Sequence, residues 1–477
     1  MTTGTDQLQL EELLARTGRG ELWRSAAGTV VRLIEPRFCD AGFRLGLERL
    51  RKETYPSVVP VIATGWHGMK FYVEYSVPSN WLALPKYWEG LHWRHRLPFL
   101  RQICELVPEW AHASGYPVGI NPASVIAVEI AGRWFPWLLA CPPVAHASPF
   151  DFLECDHPVL ACIAPEAIRG VALDGRTQDA YSVGILAWQV LGAGLTDPLS
   201  GPAERVEDQA CGWMLNHRVE ESGIEPFLQP LNEIVALAGL AARYTQLDFV
   251  ARPKAPSEMA LACDAAFAAT DPVPLAKQLF QATRSRDALN VVDWGLATFS
   301  PSLELYLLGA TIAEKLEDFR RTIDYLDGAI TLKPKDLGLR FRRCDLRWLV
   351  YCHRPAPVPP KPDAEGEALL QDLELCKQLR TVRRTSEPYV RRAIILRQSG
   401  DLFAAADELY QATELEQSDI AVVYEYAKVL QELKRPELVH AALAEGLQRA
   451  DLMVKAGMME RSEAQTWRDL FDALLRG

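Results

Sequence analysis

Between about Leu8 and Ala268, short runs of β-branched and aromatic residues alternate with longer stretches whose apolar residues recur at helical spacing. Val30 to Ile34, Ser57 to Ala63 and Lys70 to Tyr75 are short, apolar and bounded by Gly, Pro or charged residues, which predicts strands. Arg101 to Ala113 and Asp179 to Leu191 carry the helical period instead. The pattern breaks at Thr270-Asp271-Pro272-Val273-Pro274, and beyond it the strand signal disappears. Leu, Ala, Glu and Arg then recur at helical spacing to Gly477, so the reading is an α+β domain over 8–269 followed by an all-α domain over 270–477.

The helical half repeats itself. Gly400-Asp401 and Lys434-Arg435 occupy matching turns 34 residues apart, and in register with them Ala393 matches Ala427, Leu409 matches Leu443, and Ala412 matches Gly446. Small residues at fixed places are what two close-packed helices per unit require, and 34 residues is the tetratricopeptide repeat length. An earlier unit fits the same template, with Glu317-Asp318-Phe319 at its turn, Ala310 and Ala329 at the small positions, Leu326 at the large one and Pro334 closing it. From Asp318 to Asp401 is 83 residues, more than two periods, so the middle unit carries an insertion.

Pro355-Ala356-Pro357-Val358-Pro359-Pro360-Lys361-Pro362 supplies that insertion, within 354–363. Proline removes an amide donor and clashes with the preceding turn, so this stretch predicts an extended loop between the two helices of its repeat. It reads first as a stiff spacer and second as a docking site for an aromatic groove. Leu275 to Phe299 predicts another helical pair, giving roughly four repeats, with the last residues forming a polar cap.

In the first half several motifs fall in a telling order. They are Gly18-Arg19-Gly20-Glu21-Leu22-Trp23-Arg24, Val30-Val31-Arg32-Leu33-Ile34, Tyr72-Val73-Glu74-Tyr75, the loop Gly115 to Ile126, Ala164-Pro165-Glu166, the helix start at Asp179 with Gly184, and Arg252-Pro253. In this order they resemble the glycine-rich loop, the lysine strand, the hinge, the catalytic loop, the end of the activation segment, the central helix and its arginine in the eukaryotic-type Ser/Thr protein kinases, especially bacterial ones. The resemblance implies a bilobal fold in which Glu166 pairs with Arg252 and Asp179 accepts backbone amides of the catalytic loop. Guanidinium can satisfy both oxygens of a buried carboxylate, which makes the first pairing physically sound.

By the same resemblance the reacting groups are replaced. Phosphoryl transfer needs a lysine on the phosphates, an aspartate for the substrate hydroxyl, and an Asp and an Asn on magnesium. Here the lysine position is Arg32, the catalytic Asp aligns with Gly119, its neighbouring lysine with Asn121, and the metal-binding Asn with Ser124. Where the Asp-Phe-Gly motif belongs, the chain reads Ala140-Cys141-Pro142-Pro143. The expectation is a pseudokinase that takes no magnesium-ATP and needs no cofactor. Arg32 is expected to pair with a helix carboxylate such as Glu48, or else to grip an anion.

Hydrophobic content of 49% with 24% charged residues describes an ordinary globular chain, and the mean hydropathy is −0.05. No apolar run approaches the ~18 to 20 residues of a membrane helix, and Met1 to Glu12 has no basic-then-apolar leader. Cytoplasmic residence is the expectation. A net charge of −11 disfavours a nucleic-acid binder. The ten cysteines form no Cys-x-x-Cys pair, so Cys155-Asp156-His157 is read as a loop rather than a metal site, and Asp151, Glu154 and Asp156 as solvated carboxylates.

One sharper feature remains. Arg340, Arg343 and Arg347 fall on one helix face beside Phe341 and Trp348, which should be packed, and Arg380, Arg383, Arg384, Arg391, Arg392 and Arg397 add cations nearby. A solvated or salt-bridged surface is the plain reading. The sharper one is a basic patch, including Arg340, Arg343, Arg347 and Arg397, that receives an acidic or phosphorylated partner segment. The functional expectation is a non-catalytic signalling scaffold binding other proteins, with a ligand-sensing cleft or a rebuilt phosphotransferase site as alternatives.

Overall fold

The computed structural model describes residues 8–114, 119–142, 155–168, 175–191, 224–246, 248–353, 364–378 and 386–476. Contacts within the chain divide it into two compact units, Met1–Asp271 and Pro272–Gly477.

The first unit has the α+β bilobal architecture expected from the sequence. Strands β1 (Leu10–Thr17), β2 (Gly20–Ser25), β3 (Val30–Ile34), β4 (Val61–His67) and β5 (Lys70–Tyr75) form an antiparallel sheet in the order β1-β2-β3-β5-β4. β3 is buried at every position, as its unbroken Val-Val-Arg-Leu-Ile run demands of a central strand. Helix α1 (Ala41–Lys52) starts at Asp40, whose carboxylate accepts the Phe43 amide at 2.7 Å, and it turns Phe43 and Leu47 into the sheet. The strand expected over Ser57 to Ala63 is displaced: Pro60, lacking an amide, separates a short bridge of Val58 to Leu138 from β4, which runs on to His67.

Below the sheet, β6 (Trp81–Ala83), β7 (Val125–Ile130) and β8 (Arg133–Leu138) make a small antiparallel sheet. The β7–β8 hairpin turns through Ala131 and Gly132, both at positive φ, which matches the twist of the strands. The helices of this lobe are α2 (Leu84–Trp88), α3 (Trp93–Ser114), α4 (His157–Ala161), α5 (Pro165–Ile168), α6 (Gly175–Val190), α7 (Asn232–Tyr244) and α8 (Ser257–Ala269). α6 is buried on nearly all sides from Ala180 to Trp188, so it is the helical core of the lobe.

The second unit is all helix. The described helices are α9 (Pro272–Gln281), α10 (Ser285–Thr298), α11 (Leu303–Lys315), α12 (Phe319–Leu332), α13 (Leu337–Cys352), α14 (Ala364–Gln378), α15 (Glu387–Gln398), α16 (Leu402–Leu415), α17 (Ile420–Glu432), α18 (Pro436–Lys455) and α19 (Arg461–Arg476). They make five successive pairs and a final helix, one pair more than the sequence count. Residues 354–363, the Pro-rich insertion, lie outside the described residues, between α13 and α14.

The residues placed in register by the 34-residue period, Ala310, Leu326, Ala329, Ala393, Leu409, Ala412, Ala427, Leu443 and Gly446, are all buried. Four intra-pair turns share one geometry. Thr283, Glu317, Gly400 and Lys434 sit at positive φ, and the following amide reaches back across the turn: Arg284 to the Leu279 carbonyl and Asp318 to that of Ala313 at 2.9 Å each, Asp401 to that of Leu396 at 2.9 Å, and Arg435 to that of Leu430 at 3.1 Å. This is the Schellman closure of a helix C-terminus. Thr283 and Glu317 extend the period to a turn that the sequence comparison did not find. At the far end Phe471 of α19 is fully buried over Gly446, where an added Cβ would stand 2.7 Å from its ring.

Candidate functional site

The frame of the helical lobe is built around α6. Asp179, 1% exposed near the start of that helix, accepts the Gly119 amide at 2.9 Å. Ser182, one turn on, donates to the Cys162 carbonyl at 2.7 Å and so ties down the segment ahead of Ala164-Pro165-Glu166. Gly184 lets α7 approach, since a Cβ there would meet the Tyr244 Cβ at 2.7 Å and the Thr245 methyl at 2.9 Å. Glu166 and Arg252 form a two-pronged ion pair: Nη1 reaches Oε1, and Nη2 donates to Oε2 at 2.9 Å. Their side chains are 5% and 0% exposed, and Arg252 is further held by the Gln246 carbonyl at 2.6 Å and the Tyr181 ring face at 4.9 Å.

In the loop that this frame supports, polar side chains are spent on the loop itself. Gly119 takes φ +61°, a conformation that a side chain there would strain. Asn121 donates from Nδ2 to the Gly119 carbonyl and accepts the Ala123 amide, both at 2.9 Å. Ser124 accepts the Asn121 amide at 2.8 Å, and its hydroxyl lies 3.2 Å from the Gly119 carbonyl. These side chains therefore hold the turn.

Arg32 is 5% exposed, with Nη2 3.5 Å from the carbonyls of both Ala123 and Leu139 and Nε without a partner. The pairing with Glu48 expected from the sequence is not made. Glu48 points to solvent on α1 and stands 4.0 Å from Lys52, whereas the α1 position facing the cleft is Gly46, packed against Pro142. Tyr75 donates to the Ala140 carbonyl at 2.9 Å, and burial raises its pKa. Arg19 donates from Nη1 to the Pro142 carbonyl at 3.1 Å, and desolvation lowers its pKa.

What lies beneath the β1–β2 turn is protein. That turn is a two-residue hairpin, Gly18-Arg19, closed by the pairing of Thr17 with Gly20. Gly20 adopts φ +141°, and a Cβ would fall 2.0 Å from the Leu33 carbonyl oxygen, so the turn is pressed onto β3 with no residue to spare. Asp156 bonds to β1 through both its amide and its carboxylate. Val159 of α4 is buried in one cluster with Leu22, Val30, Ala123 and Ile126. The cavity left between Leu14, Leu22, Trp81, Ile126 and Val159 is about 50 Å³, against roughly 300 to 1,000 Å³ for ordinary ligand pockets.

The magnesium–nucleotide pair of kinases does not fit these residues. Ala140, Cys141 and Pro142 offer no carboxylate, Ser124 bonds within its own loop, and Arg32 is turned onto backbone carbonyls. Among the described residues no group of three or more His, Cys, Asp or Glu could hold a metal ion. Asp151 and Glu154 lie outside the described residues; the half-buried Asp156 accepts the Arg16 amide in an exposed bond.

The arginine face of the helical half is neutralised from within. Arg343 reaches Asp327 and Asp372, and Arg347 donates to Asp372 at 2.8 Å and lies 3.3 Å from Asp327. Burial alone would lower the Arg343 pKa, but the two carboxylates raise it. Arg340 donates to the Pro334 carbonyl at 2.8 Å, while Arg397 pairs with Glu432 and Glu425. Arg391 and Arg392 are likewise bound, to Asp345 and Glu408. Arg380, Arg383 and Arg384 lie outside the described residues. Trp348 is stacked on Tyr351, but Phe341 is 38% exposed rather than packed.

The two units are thus a protein-kinase-like bilobal domain and a tetratricopeptide-like helical solenoid. No protein-family model matches the chain, and no curated protein does. Among solved structures, the kinase domain of Mycobacterium tuberculosis PknI, as a double mutant, is similar at 16% identity and a TM-score of 0.37, covering 56% of this chain and 100% of that one. MamA from Desulfovibrio magneticus RS-1 is similar at 11% identity and a TM-score of 0.27, covering 38% of this chain and 95% of that one. A further MamA structure gives 10% identity and a TM-score of 0.30, over 39% and 93%. No described helix is long and apolar enough to cross a membrane.

Proposed function

We propose that this protein is a pseudokinase scaffold: a folded kinase-like platform without phosphotransfer, joined to a helical-repeat unit, both offering surfaces to other proteins in a signalling assembly. The observation that carries the reading is the filled cleft. Asp156 and Val159 occupy the ground beneath the β1–β2 turn, and the four groups that would position and neutralise the phosphates are Arg32, Gly119, Ser124 and Ala140. Positioning and charge neutralisation supply most of a kinase's rate, and all of their usual carriers are replaced together. Solenoids of this kind stack into extended surfaces suited to holding a partner chain, which makes protein binding the natural role of the second unit.

The test is a thermal-shift titration of the full chain with ATP, with and without magnesium. A nucleotide at one hundred times its Kd adds about 2.7 kcal/mol of apparent stability. The reading expects no shift at millimolar ATP and no phosphate transfer to a generic substrate. A magnesium-dependent shift, or transfer that disappears on Arg32→Ala, would overturn it.

A further inference from the structure

Cys344 of α13 and Cys376 of α14 come together in one buried cluster with Tyr351, Leu369, Leu373 and Ile395. The two helices meet in a fixed register. Arg343, beside Cys344, reaches Asp372, and Arg347, one turn on, reaches the Ala368 carbonyl at 3.4 Å, so α14 descends as α13 climbs. Cys344 and Tyr351 stand two turns apart on α13, and Leu369 and Cys376 two turns apart on α14, which gives each helix one stripe to set against the other. The cysteines are 3% and 4% exposed, and both are free thiols.

The two thiols are partners. A hydrogen bond between them is the largest influence on each: it raises the Cys344 pKa and lowers that of Cys376. Cys344 is thus the donor, and Cys376 is the sulfur that gives up its proton more readily. The thiolate is the nucleophilic form of cysteine, and a second thiol beside it turns its oxidation into a disulfide. The sequence hides the pair, because the Pro-rich insertion lies between its members.

We propose that Cys344 and Cys376 form an oxidation site, at which a peroxide makes a reversible disulfide between α13 and α14. The Cys376 thiolate attacks one peroxide oxygen, and the O–O bond breaks. Cys376 becomes a sulfenic acid, and the hydroxide released takes the proton that Cys376 shed and leaves as water. The Cys344 sulfur then attacks the Cys376 sulfur, the S–O bond breaks, and the departing hydroxide leaves as a second water with the Cys344 proton. The electron pair lost by the two sulfurs is the one the peroxide gains. Hydrogen peroxide is hardly larger than water, so a local opening of the helix pair admits it. The disulfide closes the chain between the two helices into a ring, which restricts the unfolded state and stabilises the oxidised solenoid. The site is independent of whether the protein transfers phosphate.

The test treats the full chain with a small excess of hydrogen peroxide, alkylates the remaining thiols and maps the digested peptides by mass spectrometry. Exposure alone favours reaction at Cys352, the exposed cysteine at the end of α13, so the map separates exposure from pairing. The Cys344–Cys376 link is expected as the predominant disulfide, reversed by dithiothreitol and accompanied by a rise of several degrees in melting temperature. Cys352→Ser should leave the link intact, and Cys344→Ser should leave a sulfenic acid at Cys376 that dimedone traps. If Cys344→Ser does not fold, the map of the unaltered chain and of Cys352→Ser decides. The proposal is overturned if both thiols survive the peroxide, if either links by preference to Cys352 or to another cysteine, if Cys352→Ser removes the link, or if the folded Cys344→Ser variant yields no trapped sulfenic acid.

Discussion

Asp156 and Arg16 bond to each other twice: the Asp156 carboxylate accepts the Arg16 amide at 2.7 Å, and the Asp156 amide donates to the Arg16 carbonyl at 3.1 Å. The exchange fastens the segment ahead of α4 along β1. Asp156→Ala removes one of the two bonds, worth about 1 kcal/mol. Amide exchange at Arg16 and at Val159 to Cys162 should accelerate by roughly fivefold, read by mass spectrometry. Unchanged exchange would mean that Val159 and its apolar neighbours hold the segment without help.

The Glu166–Arg252 pair makes a prediction with two arms. Arg252→Ala strands a carboxylate that is 5% exposed, a defect costing about 3 to 5 kcal/mol. Urea unfolding of the first unit should move to correspondingly lower denaturant. The double variant Glu166→Leu with Arg252→Met leaves no buried charge and should recover more than half of that loss. Equal losses in both would show that shape, not uncompensated charge, sets the energy.

In the solenoid, Asp372 lies between Arg343 and Arg347 with its side chain 5% exposed, while Arg340 sits on the surface against a single carbonyl. Asp372→Ala should therefore cost about 3 kcal/mol and Arg340→Ala under about 0.5 kcal/mol. Denaturation midpoints of the two variants decide it. Similar effects would mean that the Asp327 contacts alone suffice for both guanidiniums.

Lys434 and Glu317 hold the left-handed turn conformation that Gly400 holds without strain. An L-residue there loses about 1 to 2 kcal/mol, partly offset because glycine has more unfolded entropy to lose. Lys434→Gly should accordingly raise stability by about 0.5 kcal/mol or more, seen as a higher melting temperature. A lower one would assign the turn's stability to the lysine side chain.

What was legible in the sequence depended on whether a residue's role is local. Val30–Ile34 announces itself because burial acts on every residue, Lys70–Tyr75 because it acts on every other one, and the 34-residue period because it acts on every turn. The Glu166, Asp179 and Arg252 positions were found through ordered motifs, and the structure brings Glu166 to Arg252 and Asp179 to Gly119. The partner of Arg32 was not legible, because it depends on the orientation of α1: the helix presents Gly46 to the cleft and sends Glu48, two residues on, to water. The solenoid arginines mislead for a related reason. Their neutralising carboxylates, Asp327 and Asp372, come from neighbouring helices, so a one-helix face overstates the free charge. The β7–β8 hairpin left a signal in Ala131-Gly132 and its flanking apolar runs that the motif-centred reading passed over.

Arg19, Arg32 and Tyr75 all reach from the small lobe to backbone carbonyls of the segment 139–142. An enzyme that must admit a substrate and release a product needs its lobes to part on each cycle. Here donors from the small lobe rivet the two halves at the point where that opening would start. Parting these two halves of the first unit would break the bonds of all three side chains at once.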